Sequence, residues 1–462
     1  MAGIGFKIQK LLSEETYWGV MRGYFYSAVL SSGPWLTSIL CFGALSMIGK
    51  ARLGDSYEAF RAWVMYCYCA SIVLTGGLQM AATRYMSDCI YRGEAEKIFS
   101  SFAALSLAAF PVQIAAGAAY LAWCGMPPAA VFGGAVLFAV ISEIWICMIY
   151  LSAARDYLTL VWAHIIGFSL SFVATAKIGP AHGLAGFFFG YGLGQVVLLA
   201  MLLARIAMEF PVRGWWNREL FHFIRHNGVL LVTGFCYNAA IWVDKILFWI
   251  FRGESAAPGL QTCPYYDTPT YLAYVTVVPA LSIFLIRVET SFYRSYRRYY
   301  YKIQQKFPFA EILAGKREMM DSLILSLYRL LVFQGPITAL TIAYAYPIVR
   351  FFNLEATQLP LLRIAVLASF VHALFMVLMI FILYFDWKHL ALRCCVLFCV
   401  ANIALTCLFL RLDLSWQGYG WFFSGLIALG YGAQGFLKNM GELERITFTS
   451  QPLGSLRWDV KP

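Results

Sequence analysis

The chain has 462 residues, of which 61% are hydrophobic and only 13% charged, with a formal net charge of +11. A soluble domain carries about 25% charged residues because its surface must face water, so the composition excludes a soluble globular enzyme. Apolar runs of about twenty residues, the length an α-helix needs to cross the hydrocarbon of a bilayer, recur from end to end without the period-two alternation of a barrel strand. The expected class is an all-α integral membrane protein with about twelve transmembrane helices.

Residues 1–19 read as a cytoplasmic N-terminal segment. The first apolar stretch continues to Ile48 with no small-residue cleavage site, so it is expected to be an uncleaved span rather than a secretory signal. Apolar windows predict spans over 20–48, 60–83, 98–123, 129–153, 157–177 and 183–208, and again over 227–251, 269–287, 321–346, 359–385, 389–410 and 415–437. This divides the chain into an N-terminal six-helix bundle (20–208), a cytoplasmic linker (209–226), a C-terminal six-helix bundle (227–437) and a cytoplasmic tail (438–462). The second bundle contains a cytoplasmic Tyr/Arg-rich segment over 288–320. With the N-terminus inside, 24 of the 35 Lys and Arg residues fall in inside segments, 7 in outside loops and four within spans. That asymmetry is what the positive-inside rule requires, so the positive charge reports topology and nucleic-acid binding need not be invoked.

In the first span, Ser27, Ser31 and Ser38 flank Gly33-Pro34. Proline removes a backbone hydrogen bond and bends a helix, which makes Gly33 and Pro34 a candidate hinge; tight helix packing by small residues is the equal alternative. Glu143 lies within the fourth span, and the sixth carries Gly186, Gly190 and Gly194, a packing face. The linker holds Arg213, Trp215, Trp216, Arg218 and Arg225, an interfacial amphipathic pattern. Gly186-Phe-Phe-Phe-Gly190 in span six echoes Gly420-Trp-Phe-Phe-Ser-Gly425 in span twelve, as internal duplication in transporters would produce.

The seventh span is the most informative. Asn238, Trp242 and Lys245 fall at i, i+4 and i+7, while Tyr237 and Asp244 share another face. Adjacent residues on a helix point apart, so Asp244 and Lys245 are not expected to neutralise one another. Intramembrane charges are costly and face a cavity or a partner helix. Aromatic rings beside amide and charged groups suit sugar, so Tyr237, Asn238, Trp242, Asp244 and Lys245, with Glu143, are the candidate lining of a translocation path. The bland alternative is a structural ion pair with another span, Glu143 being the candidate partner. After the eighth span, Tyr293, Arg294, Arg297 and Arg298 belong to an alternating Tyr/Arg segment that suits anchoring among anionic headgroups of the lipid bilayer or docking of a cytoplasmic partner.

Other chemistry is missing from the pattern. No GxxxxGK[ST] loop or HExxH occurs, and His222 with His226 lacks a third ligand. Most of the twelve cysteines sit in apolar runs as small hydrophobes. Cys124 and Cys263 alone fall in outside loops, where a disulfide between them has nothing further to support it. No catalytic residue, cofactor or metal is expected. The stretch Gly259 to Thr270 receives no assignment.

Several stretches together resemble a known family. Met1-Ala2-Gly3-Ile4-Gly5-Phe6, Ser31-Ser32-Gly33-Pro34-Trp35-Leu36, Thr83-Arg84-Tyr85-Met86-Ser87-Asp88, Tyr237-Asn238 through Trp242-Val243-Asp244-Lys245, and Ala273-Tyr274 through Arg287-Val288-Glu289-Thr290 resemble the Pel exopolysaccharide inner-membrane transporters, the G component of that biofilm system. The resemblance covers nearly the whole chain and carries no catalytic signature. It implies the multidrug/oligosaccharidyl-lipid/polysaccharide exporter superfamily, with two six-helix bundles around a central cavity. It further implies export of a galactosamine-rich polymer across the bacterial inner membrane. The implied partners are the nascent polysaccharide, a cytoplasmic glycosyltransferase and membrane subunits of a synthase complex regulated by cyclic di-GMP. The alternatives are a cation-coupled drug or lipid-linked oligosaccharide flippase of the same fold, a membrane-embedded transferase using His372 or Asp267, and a non-transporting scaffold that docks through the Tyr/Arg segment.

Overall fold

The structure is a computed structural model that describes residues 37–38, 40–45, 48, 54, 56–154, 157–279, 281 and 291–449. The expected hinge at Gly33 and Pro34, most of the span expected over 20–48 and the end of the span expected over 269–287 lie outside the described residues. The described residues are all-α apart from one short hairpin. In the first half, α1 (Ser56–Arg92), α2 (Glu96–Trp123) and α3 (Pro128–Ala154) are followed by the 53-residue α4 (Tyr157–Glu209). Helix α4 is two limbs joined at a break, where His182 leaves helical geometry and Gly183 takes φ +58°, ψ −146°. Glycine reaches that region without steric cost, and the break falls where the sequence separates spans five and six. The limbs fold onto one another through the tandem glycines: Gly190 lies against the backbone of Ala174 and Thr175, and Gly194 against Gly167 and Ser171.

A short helix, α5 (Arg218–His226), leads into α6 (Gly228–Arg252), then β1 (Glu254–Ala257), β2 (Leu260–Thr262) and α7 (Pro264–Val275). The rest of the second half comprises α8 (Tyr293–Gln304), α9 (Phe309–Ala343), α10 (Ala345–Phe351), α11 (Leu359–Tyr384), α12 (Lys388–Phe409), α13 (Tyr419–Gly441) and α14 (Leu443–Thr449). Eight helices among the described residues are long and apolar enough to cross a membrane. Helix α9 begins at Phe309, so the end of the segment read from sequence as cytoplasmic loop is the first turns of this helix. Phe132, Ile165, Val196, Phe333 and Val400 are exposed on outward faces, as a lipid-facing surface requires.

Buried side chains form one core in each half and a small cluster between them, made of Cys69, Phe248, Trp249, Cys263, Tyr266, Leu361 and Ile364. The halves meet along antiparallel α1 and α6, and α12 covers another side of α6. The seam is glycine-built. A Cβ at Gly76 would collide with the Asn238 side chain, one at Gly77 with the Leu231 carbonyl, and one at Gly234 with the Gly76 carbonyl. Small residues permit this approach where lipid offers no hydrophobic drive between helices.

Each end of the seam carries polar ties. At the end rich in basic residues, Arg84 of α1 pairs with Asp386 at 3.3 Å, and Lys388 donates to Asn227 at 3.2 Å. At the opposite end the β-hairpin reaches across from α6. Tyr120 Oη donates to the Gly259 carbonyl (2.9 Å), Tyr66 Oη donates to the Gln261 carbonyl (3.0 Å), and the Gln261 amide donates back to Tyr66 (3.2 Å). Gly259 turns the hairpin at φ +72°, with its α-carbon facing Cys124 so closely that a Cβ would meet the sulfur. The twelve cysteines are free thiols, Cys124 and Cys263 included.

The seam yields a prediction. Gly234→Leu should lower stability by about 1–3 kcal/mol, the usual cost of overpacking, and reduce the monodisperse yield. Gly430→Leu, where an added Cβ meets nothing within 4 Å, should change neither. Thermal unfolding of both variants in detergent checks this.

Candidate functional site

Helix α6 carries the two charges singled out by sequence, and both are buried: Asp244 is 0% and Lys245 8% exposed. Their arrangement corrects the expectation that neighbours on a helix point apart. The Lys245 stem curls back along the helix, so that Nζ donates to the Ile241 carbonyl at 3.0 Å and to both Asp244 carboxylate oxygens at 3.0 and 3.2 Å. Four methylenes give lysine the reach to bury its stem and place its head away from its own Cα direction. Tyr266 of α7 donates to Asp244 Oδ2 at 2.7 Å and stacks on Phe248 with ring centroids 3.7 Å apart. Asp244 therefore accepts from both a cation and a phenol.

Aromatic rings enclose the ammonium. Lys245 Nζ lies 5.0 Å from the centroid of a Trp421 ring and 5.5 Å from Tyr274, within cation–π range. Tyr274 and Trp421 are 4.9 Å apart, and His372 stands 5.9 Å from Tyr274 and 6.0 Å from Tyr237. Helices α6, α7, α11 and α13 thus converge on one cation. Helix α12 locks the arrangement from behind: Asn402 donates to the Ala240 carbonyl at 2.8 Å and accepts from Thr406 at 2.9 Å. Trp421 Nε1 and His372 Nδ1 are buried without a hydrogen-bond partner among the described residues. Orphaned buried polar atoms are rare and call for an explanation. Here two of them border the same charged group.

The other sequence candidates divide. Tyr237 packs on His372 and Phe375 at the margin of the cage. Asn238 donates to the Gly234 carbonyl at 2.9 Å and abuts Gly76, so it serves the seam with α1. Trp242 lies 6.3 Å from Trp249 in the cluster between the halves. Glu143 is buried in α3 of the first half, with Oε1 lacking a hydrogen-bond partner among the described residues. The ion-pair partner of Lys245 is Asp244, not Glu143. Asp267 is held by Trp249 Nε1 at 3.0 and 3.1 Å and by the Cys263 amide at 3.1 Å, so its oxygens are engaged in fixing the start of α7.

On α8, Arg294, Arg297 and Arg298 are exposed, and Arg298 pairs with Glu318. Tyr293 is half-buried beside them, while Tyr296 and Tyr299 face inward; Tyr296 packs on Phe292, Tyr384 and Phe385. The helix is amphipathic, with its aromatic side on the protein.

Sequence reasoning did not assemble Tyr266, Tyr274, His372 and Trp421 around the charges. They come from three different helices, and no helical spacing links them. Among 28 Tyr, 37 Phe and 14 Trp, none stands out by type.

With this geometry in place, comparison with known proteins decides the family. The profile of the PelG exopolysaccharide exporter (EPS-E) family matches residues 1–448. The chain belongs to the PelG exopolysaccharide exporter family. No curated protein matches it in sequence. Its fold is similar to that of a multidrug resistance MATE family transporter of the MOP superfamily in an outward-facing conformation, at 13% identity and TM-score 0.63, covering 91% of this chain and 96% of the other. An inward-facing structure of a MATE family transporter matches at 12% identity and TM-score 0.60, covering 97% and 99%. A MOP superfamily transporter from Pyrococcus furiosus matches at 12% identity and TM-score 0.62, covering 90% and 96%. The protein is therefore a multi-pass membrane protein with a MATE-like transporter fold, from a family of exporters.

The charged cage predicts a specific energetic signature. Asp244→Asn and Lys245→Met should each destabilise the protein by about 3–5 kcal/mol, because each leaves a buried charge unpaired. The double variant should lose clearly less than the sum of the two. A double-mutant cycle on unfolding free energy reads this coupling.

Proposed function

We propose that this chain carries a galactosamine-rich exopolysaccharide, the Pel polymer, across the bacterial inner membrane, with both termini in the cytoplasm. The observation that supports the reading most strongly is the buried Asp244–Lys245 pair, walled by Tyr274 and Trp421 and bordered by two polar nitrogens without a partner among the described residues. Aromatic faces stack on the apolar faces of sugar rings, and the unpartnered nitrogens can bond hydroxyls. A flexible ammonium can exchange Asp244 for a passing polar group. In this reading Asp244 and Lys245, with Tyr237 beside them, form the polar station of the path. Asn238 and Trp242 line its approach along the seam between the halves. Glu143, a buried carboxylate of the opposite half, is the second station.

A nascent polymer must be handed over on the cytoplasmic side, which places a glycosyltransferase there together with membrane subunits of a synthase complex regulated by cyclic di-GMP. The exposed row Arg294, Arg297 and Arg298 on α8, with Tyr293, is the docking surface we assign to that complex or to the surrounding lipid headgroups.

The test is surface polysaccharide and drug tolerance measured together in the native host deleted for this gene. Deletion should abolish exported polymer and leave drug tolerance unchanged. Asp244→Asn or Lys245→Met, at membrane levels equal to wild type, should restore less than a tenth of the polymer. In the same host, Arg294→Glu/Arg297→Glu should reduce copurification of the synthase complex. Normal polymer with altered drug tolerance would instead make this a drug exporter. Full rescue by both point variants would remove the path from α6.

A further inference from the structure

We propose that the recess between the basic end of α1 and helix α5 is a binding site for the phosphate headgroup of an anionic lipid. The recess has a volume of about 400 Å³ and is lined by Tyr85, Arg92, Arg218, His222, Phe223 and His226, together with Glu219. It lies apart from the charged cage, and translocation as described above makes no use of it.

The site is built from the local sequence. Asn217 caps α5 by accepting from the Leu220 amide at 3.2 Å, and its Nδ2 donates to Tyr85 Oη at 3.0 Å. One side chain therefore both starts the helix and fastens it to α1. Tyr85 meets Phe223 edge-on at 5.5 Å, completing the floor. With the apolar side of α5 held down, Arg218, His222 and His226 follow one another at intervals of four on the side that opens toward Arg92. His226 is braced by the His222 carbonyl, 3.0 Å from its Nδ1.

The charge balance selects an anion. Glu219 is the acid of the lining, and Lys97 holds it at 2.9 Å while also pairing with Glu94 at 3.1 Å. Arg92 and Arg218 have no hydrogen-bond or ion-pair partner among the described residues. Two uncommitted guanidinium groups facing one recess match the bidentate geometry of a phosphate.

The surroundings select a lipid over a soluble phosphate. Ile90 and Tyr91 of α1 and Val212, Trp215 and Trp216 before α5 are all exposed. Tryptophan and tyrosine concentrate at the headgroup level of a bilayer, so this rim places the recess where headgroups lie and gives an acyl chain apolar contact. A free phosphate would meet the polar groups of the recess but gain nothing from this apolar rim.

The test uses the purified full-length chain, delipidated and titrated with phosphatidylglycerol, phosphatidylcholine or inorganic phosphate, with bound ligand counted by native mass spectrometry. Phosphatidylglycerol should remain bound where phosphatidylcholine and inorganic phosphate do not. An arginine near an anionic surface contributes roughly fivefold in affinity, so Arg92→Ala/Arg218→Ala should weaken phosphatidylglycerol by about thirtyfold. Arg92→Lys/Arg218→Lys, which keeps the charge, should fall between the two and guards against misfolding of the alanine variant. Equal binding of both lipids, or wild-type retention by the alanine variant, would overturn the site. Inorganic phosphate binding as tightly as phosphatidylglycerol would overturn the lipid assignment.

Discussion

A carboxylate and an ammonium withdrawn from water and from lipid headgroups can persist only if each satisfies the other and the remaining lone pairs and protons find partners. Asp244 and Lys245 meet that condition by drawing in helices from across the second half. Tyr266 brings α7 to the carboxylate, and Tyr274, Trp421 and His372 bring α7, α13 and α11 to the ammonium side. Asn402 then pins α12 to the same stretch of α6. Four helices of the second half, α7, α11, α12 and α13, are thereby tied to the stretch of α6 that carries the ion pair.

That same helix is also the boundary with the first half. Its glycine-built seam with α1 brings the backbones together around Gly76 and Gly234, and polar ties add to the packing at each end. Arg84–Asp386 and Lys388–Asn227 hold one end; the hairpin on Tyr66 and Tyr120 holds the other. Close backbone packing at the centre and polar ties at both ends join the two halves along this one pair of helices. The Asp244–Lys245 pair sits on the helix that both halves share.

How much of this was legible in the sequence depends on the range of the interaction. Helical spans followed from apolar runs, because hydrocarbon thickness acts on each segment separately; α3, α6, α11 and α12 begin and end within a few residues of the expected bounds. The break at Gly183 was legible for the same reason. The charges of α6 stood out because any intramembrane charge does. Their pairing did not, since it depends on how a long side chain folds over its own helix and on Tyr266, which lies in a stretch with no readable pattern. Gly259 to Thr270 became intelligible only as the hairpin and helix start that bridge the two halves. Family membership came from short motifs in order, a signal independent of packing.

As a proposed station on the path, the Asp244–Lys245 pair must do more than hold helices together. The most direct measurement is polymer export by the double variant Asp244→Asn/Lys245→Met, compared with wild type at matched membrane abundance and with its unfolding free energy determined alongside. If the pair is a station on the path, the neutral variant will be close to wild type in stability and still export less than a tenth of the polymer. Wild-type export by a stable neutral variant would show that the pair is only a structural clamp.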